Sequence, residues 1–277
     1  VDRPHKLGIQ LFPYGDGRML LLSRDVTLIE QAETMRRDFV ANVSHEIRTP
    51  LTVLSGFIET LQSLPLNKDE QDRYLELMAK QSYRLKSLVE DLLTLSRLDG
   101  RPLPSHNQWV SLQKIFKQLE DEAVGLSFKL HSFETEKQSI KFVVDKNSID
   151  TEILGSSTEL ISAFSNLISN AVRYTPANGE ILVSWNEFET KGVFSVKDSG
   201  QGIAPEHFPR LSERFYRIDR SRSRDTGGTG LGLAIVKHVM QRHEGTMEIE
   251  SKLNIGSKFT LTFPASRMRK KPMINPD

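Results

Sequence analysis

The chain has 277 residues, 38% hydrophobic and 26% charged, enough for roughly two domains with buried cores in a protein that stays in water. Its formal net charge of +1 gives it no electrostatic footing on nucleic acid or on an anionic membrane. With no cysteine it has no disulfide, thiolate nucleophile or Cys-bound zinc, and no apolar run nears the ~18 residues that cross a bilayer.

Residues 1–26 carry two short runs, Leu7 to Leu11 and Met19 to Ser23, on either side of the turn cluster Pro13-Tyr14-Gly15-Asp16-Gly17. This is the pattern of a β-hairpin, too small to stand alone. From Thr27 the period changes. Ala32, Met35, Phe39, Val43, Ile47, Leu54, Ile58 and Leu61 recur in steps of three, four or seven, as one helical stripe would. A helix over 27–62 would be roughly 54 Å long. Pro65 and Asn67 break it. Tyr74, Met78, Gln81, Leu85, Leu88, Leu92 and Leu95 then follow in alternating steps of four and three, a heptad seam, until Gly100, Pro102 and Pro104. Two long helices with a short connection form an antiparallel hairpin. One hairpin cannot cover all its apolar positions, whereas two can as a four-helix bundle, so we expect a homodimer.

After Asn107 the texture becomes α+β. The patterns predict helices over 113–126, 159–172 and 231–243. They predict strands over 140–144, 181–185, 193–196, 247–250 and 258–263. One mixed sheet with helices on a face is the expected architecture. The basic run Arg267, Arg269, Lys270 and Lys271 reads as a solvated tail.

His45 sits within Ser44-His45-Glu46-Ile47-Arg48-Thr49-Pro50, in the middle of the first long helix. At 100° per residue it falls nearly opposite the apolar stripe. Thr49, one turn later, shares that outward face. Glu46 can hold one ring nitrogen protonated, leaving the other as the nucleophile. Pro50 removes a backbone hydrogen bond where a helix can least spare one. A zinc-protease reading fails because Thr49 stands where HExxH needs histidine. These residues alone leave two readings open, an ordinary surface histidine and a phosphoacceptor.

Three further pieces follow in order. Asn166 and Asn170 lie four apart on one helix face, Asp198-Ser199-Gly200-Gln201-Gly202 leaves a strand, and Gly227-Gly228-Thr229-Gly230-Leu231-Gly232 opens a helix. Each is weak by itself. Together they meet one chemical need. A helix N-terminus offers N–H groups to phosphates, and glycines let the backbone approach. An Asn oxygen suits Mg²⁺, and a carboxylate accepts from an adenine amino group. Neither a P-loop nor a dinucleotide fingerprint is present.

With these residues in hand, the chain closely resembles the sensor histidine kinases of two-component systems from about residue 27 to 264. FVANVSHEIRTPLT is similar to their H box, NLISNAVRYT to the N box, DSGQGI to the G1 box, ERFYRID to the F box and GGTGLGLAIVKH to the G2 box. The wording LSERFYR and SRDTGG resembles a phosphate-sensing branch of that family. The resemblance implies a helical-hairpin dimerisation domain followed by an α+β sandwich ATP-binding domain of the GHKL type. Its boundaries would be a remnant of a PAS-like sensor domain over 1–26, a dimerisation and phosphotransfer domain over 27–103, an ATP-binding domain over 104–266 and a basic tail over 267–277.

Carried over residue by residue, it implies His45 as phosphoacceptor, Glu46 as its activating carboxylate and Thr49 as a water-positioning group for dephosphorylating the partner. Asn170, with Asn166 beside it, would hold Mg²⁺. ATP would lie against Arg173, Tyr174, Asp198, Gly200, Gly202, Ile203, Phe215, Arg217, Gly228, Thr229, Gly230, Leu231 and Gly232. Residues 204–227 would form a lid anchored by Phe208 and Phe215, with Arg217, Arg220, Arg222 and Arg224 making it basic. The partner would be a response-regulator receiver domain. As the chain begins at Val1 with no initiator Met, we expect a fragment, the cytoplasmic portion of a bacterial inner-membrane protein whose missing N-terminal part holds the membrane segments. Ser156 departs from the family, which commonly has an acidic residue after Gly155.

Overall fold

The computed structural model describes residues 5–100, 102–104, 108–131, 137–145, 148, 150–218 and 228–271. The chain divides inside its second long helix, into one unit ending at Leu85 and another beginning at Lys86.

In the first unit, strands β1 (Leu7–Pro13) and β2 (Met19–Asp25) pair antiparallel. Helix α1 (Thr27–Ser63) follows and runs unbroken through Pro50. The Asp25 carboxylate accepts from the Thr27 N–H, satisfying one of the donors that a helix start leaves without a partner. The connection to helix α2 (Lys68–Gly100) is closed by a reciprocal pair. Asn67 Oδ1 accepts from Glu70 N–H at 2.9 Å, and Glu70 Oε2 from Asn67 N–H at 3.0 Å, the capping-box arrangement. Phe57 packs on Tyr74 with ring centroids 5.4 Å apart. Much apolar surface stays open along α1, including Met35, Val40, Leu51 and Ile58.

The second unit begins with residues 86–100 of α2. After it come β3 (Trp109–Ser111), α3 (Leu112–Leu130), β4 (Ser139–Val144), β5 (Thr151–Leu154) and α4 (Ser157–Tyr174). Next are β6 (Glu180–Phe188), β7 (Lys191–Asp198), α5 (Gly232–Arg242), β8 (Thr246–Lys252), β9 (Gly256–Pro264) and β10 (Met268–Lys270). Five strands form one sheet in the order β4-β6-β7-β9-β8, parallel between β4 and β6 and antiparallel elsewhere. In β6 the residues Ile181, Val183 and Trp185 are buried while their neighbours are not, so α3, α4 and α5 cover one face of the sheet. The core is aromatic. Phe164 of α4 stacks on Phe194 of β7 at 4.0 Å, and Phe116 meets the same ring edge-on at 5.9 Å.

Two expectations need correction. There is not one sheet here: β3, β5 and β10 make a separate three-stranded antiparallel sheet in the order β10-β5-β3. Strands this short carry too little alternation to announce themselves. Nor do the basic residues at 267–270 form a solvated tail. Arg267 is 2% exposed and bonds Glu244 at 2.7 Å. Arg269 pairs with Glu152, and Lys270 with Glu187. The cations are spaced to meet carboxylates on neighbouring elements, which a charge count along the chain does not reveal. Residues 272–277 lie outside the described residues.

Candidate functional site

Two chemical centres are present, each within one unit. In the first unit His45 and Thr49 are exposed on α1, while Val43, Ile47 and Leu54 on the opposite stripe are half-buried and Pro50 is buried. The Thr49 hydroxyl donates to the His45 carbonyl at 3.0 Å, a helix back-bond. Glu46 is turned toward α2, where its Oε2 accepts from Arg84 Nη2 at 2.8 Å.

In the second unit a cavity of about 400 Å³ opens beside the start of α5, within the range of small-molecule sites. Helix α4 contributes Asn166, Asn170, Arg173 and Tyr174 to its wall. The turn after β7 contributes Gly202 and Ile203, and the segment before α5 contributes Gly228, Thr229, Gly230 and Gly232. Arg217 closes another side and donates to the Gly228 carbonyl. The three sequence pieces therefore converge on one space.

Backbone requirements explain two of the glycines. Gly202 has φ +68, and a Cβ there would lie 2.1 Å from the Lys252 carbonyl oxygen. At Gly232 a Cβ would lie 2.4 Å from Asn166 Oδ1, so glycine is what lets that amide oxygen sit against the helix start. Phe215 is the bulky exception, with φ 65. Its N–H donates to the Gly230 carbonyl at 2.8 Å, tying the middle of the expected lid to the glycine segment. Strain of this kind clusters where ligands bind.

Some expected residues stand back from the cavity. Asp198 is 8% exposed and does not line it. Its Oδ1 accepts from Gly200 N–H at 2.9 Å and Ser257 N–H at 3.2 Å. Burial raises its carboxyl above the usual carboxylate range, and those two N–H groups oppose the rise. Gly200, Phe215 and Leu231 likewise support the walls without forming them; Leu231 is fully buried. Residues 219–227, with Arg220, Arg222 and Arg224, lie outside the described residues.

The cavity also has a wall that the motifs did not indicate. Ser87 and Asp91, from the end of α2, line it. Asp91 Oδ2 accepts from the Thr229 hydroxyl at 2.6 Å. Burial pushes its carboxyl up, while Thr229 and the nearby Arg173 pull the other way. Gln201, His207, Tyr216, Leu253 and Asn254 are among the other residues that line it. Tyr216 is held by His207 Nδ1 at 2.8 Å and by the Arg210 guanidinium 4.3 Å from its ring centroid. At Ser156, the departure from the family, the side chain caps α4 by accepting from Glu159 N–H, the same work an acidic N-cap would do.

Among the described residues no group of His, Cys, Asp or Glu could by itself hold a metal ion. The wall still suits Mg²⁺ that arrives with a polyphosphate. The Asn166 and Asn170 amides are hard oxygen donors of the kind Mg²⁺ accepts beside phosphate oxygens, and Arg173 and Arg217 supply the positive charge.

Comparison with known proteins agrees with this geometry. Residues 35–101 match the model of the His Kinase A (phospho-acceptor) domain. Residues 155–267 match that of the histidine kinase-, DNA gyrase B-, and HSP90-like ATPases. The Phosphate regulon sensor protein PhoR of Pseudomonas aeruginosa is 43% identical over 97% of this chain, which spans 59% of that protein. The Acinetobacter baumannii histidine kinase AdeS superposes with a TM-score of 0.59 at 25% identity, over 79% of this chain and 97% of that one. Histidine kinase ThkA, solved in complex with the response regulator protein TrrA, shares the fold with a TM-score of 0.64 at 19% identity, over 93% of this chain and 78% of that one.

Proposed function

The chain belongs to the sensor histidine kinases, and from that premise we propose that it uses ATP to phosphorylate His45 and passes the phosphoryl group to an aspartate of a response-regulator receiver domain. The observation that carries this reading is an exposed His45 beside a Glu46 held by a second helix, in a chain whose other unit has a glycine-edged cavity at a helix start.

In the first step one imidazole nitrogen attacks the γ-phosphorus of ATP. The bond to ADP breaks, an N–P bond forms, and the Glu46 carboxylate stabilises the proton and positive charge on the other nitrogen. Little covalent work falls to the protein, because positioning and charge supply most of the catalysis of phosphoryl transfer. Asp198 would accept from the adenine amino group, and the N–H groups at 228–232 would cradle phosphates. Asn170, with Asn166, would hold the Mg²⁺ that neutralises them. The γ-phosphate must meet the imidazole in line, so the bound nucleotide would have to reach His45. In the second step the receiver carboxylate attacks the phosphorus and frees the imidazole. Thr49, exposed one turn from His45, would orient water for the further duty of dephosphorylating the receiver.

The open apolar residues of α1 support a homodimer. Similarity to a phosphate regulon sensor supports a role in phosphate-starvation signalling. No helix among the described residues is long and apolar enough to cross a membrane; attachment at a bacterial inner membrane would come from segments outside this chain. A GHKL ATPase that merely hydrolyses nucleotide, or a scaffold that merely binds it, is the competing reading. The former needs a water-activating Glu at position 166, where Asn166 stands, and the latter leaves the H box without a purpose.

His45→Gln should abolish acid-labile ³²P labelling from Mg²⁺-ATP while leaving nucleotide affinity intact. Label retained in that variant refutes the assignment.

A further inference from the structure

Arg84 is absent from the motifs that the family resemblance supplies, yet it holds the residue next to His45. It lies on α2 with its side chain 9% exposed, and Nη2 donates to Glu46 Oε2 at 2.8 Å, the carboxylate being 30% exposed. Gln81, Leu85 and Leu88 around it follow the heptad seam, where an apolar residue would pack without difficulty. A charge taken out of water between helices is tolerable only when paired. Its placement therefore specifies the position of one carboxylate more than it stabilises the hairpin.

That carboxylate has capacity for more than one donor. Two oxygens offer about four lone-pair sites, and Nη2 occupies one on Oε2. Glu46 is also a long side chain with rotamers to lose. A guanidinium anchor on the neighbouring helix removes that freedom before the reaction begins, which is the ordinary advantage of preorganisation.

We propose that Arg84 is a positioning residue for phosphoryl acceptance: it fixes the Glu46 carboxylate so that Glu46 can orient the His45 imidazole. This rests on the reading of His45 as acceptor and Glu46 as its activating carboxylate.

The test compares Arg84→Met, Arg84→Lys, Glu46→Gln and the Arg84→Met/Glu46→Gln double variant in the whole chain. Labelling is measured from Mg²⁺-[γ-³²P]ATP and, separately, with phosphoramidate. That small donor transfers its phosphoryl group to histidine with release of ammonia and needs no nucleotide site. Arg84→Met should slow both reactions about 10- to 100-fold, the usual loss when a group that orients a reacting partner is removed. ATP affinity should stay within about twofold, and Arg84→Lys should recover part of the rate, since it keeps the charge without the fork. In the Glu46→Gln background the Arg84 substitution should cost less than about twofold more, because residues acting through one another are not additive.

A wild-type phosphoramidate rate in Arg84→Met, with Glu46→Gln impaired, overturns the role of Arg84 and leaves that of Glu46 standing. A wild-type rate in Glu46→Gln overturns the Glu46 reading itself. Losses that multiply in the double variant make Arg84 a structural residue and also overturn the proposal. If Arg84→Met does not fold, Arg84→Lys decides: a wild-type rate on both donors refutes the positioning role, and a reduced rate with a native thermal midpoint upholds it.

Discussion

The Arg242→Met substitution is the sharpest probe of how the second unit is held together. Arg242 closes the last turn of α5 and is 6% exposed. Nε and Nη2 grip both oxygens of Glu159 at 3.0 and 3.1 Å. Nη1 and Nη2 also donate to the carbonyls of Leu98 and Pro102 at 3.1 and 2.7 Å. Leu98 lies in the last turn of α2, where carbonyls have no helical partner, so one guanidinium joins the end of α2, the start of α4 and the end of α5. Removing one member of a buried ion pair costs about 3–5 kcal/mol. Because the Glu159 side chain is 12% exposed and water can reach it, we take the lower half, about 3–4 kcal/mol. For a unit of this size each kcal/mol moves the midpoint about 2–4 °C, so calorimetry should show a fall on the order of 10 °C. The start of α5 at Gly232 is about 15 Å away along the helix, so ATP affinity measured well below the midpoint should hold within about twofold. Adding Glu159→Gln should cost little more than Arg242→Met alone, with a coupling of at least about 2 kcal/mol. A midpoint shift below about 2 °C, or strictly additive effects, would show that the clasp carries no such energy.

Three other outcomes follow from the same reasoning. His243 is fully buried, its Nδ1–H donating to the Val239 carbonyl at 2.8 Å and its Nε2 accepting from Ser156 N–H at 3.2 Å. Burial holds it below its ordinary value of 6.5, with Arg267 and Arg242 adding to the effect and Glu159 opposing it. The folded state therefore resists a proton that the unfolded chain accepts. Its contribution is complete above about pH 6.5 and falls by up to about 1.4 kcal/mol per pH unit below that. Urea titrations at pH 7.5 and 5.5 should show this drop, and His243→Asn, already less stable at pH 7.5, should show a shallower one. Gly202→Ala should lower stability by more than about 2 kcal/mol, since the left-handed φ alone costs about 1–2 and the methyl meets the Lys252 carbonyl; urea midpoints check this. Asp198→Asn keeps an oxygen for the Gly200 and Ser257 N–H groups, so stability should hold within about 1 kcal/mol. Titration calorimetry should nonetheless show ATP binding weakened at least about tenfold, as expected when an essential acceptor becomes a donor; unchanged affinity would remove Asp198 from adenine recognition.

How much was legible depended on whether a signal was local. The stripe from Ala32 to Leu61 and the seam from Tyr74 to Leu95 fixed both long helices, because 3.5- and 3.6-residue periods repeat many times within one element. Asn166, Asn170, Gly202 and the glycines at 228–232 were found because chemistry places them at fixed offsets. The misses share one property: they act across elements. Arg242 reads as an ordinary helix-end cation, Arg267 as part of a tail, and β3, β5 and β10 as loop. A side chain's partner eighty or a hundred residues away leaves no periodicity. A weaker signal did exist on α2, where Arg84, Ser87 and Asp91 recur at steps of three and four beside the leucine seam, a polar stripe where solvent alone requires none.

That stripe bears on how any substitution in α2 should be read. A heptad states that one helix face is covered, and it does not state by what. None of the seven seam residues is exposed, yet Tyr74 to Leu85 belong to the first unit and Leu88 to Leu95 to the second. The same helix brings Arg84 to Glu46 in one unit and, seven residues later, Asp91 to Thr229 in the other. A seam substitution near Leu88 therefore has two routes to lost phosphorylation, through the carboxylate beside His45 or through the wall of the nucleotide cavity. Loss of ATP affinity marks the second route, and loss of phosphoramidate labelling with affinity intact marks the first. A labelling rate from ATP by itself assigns neither.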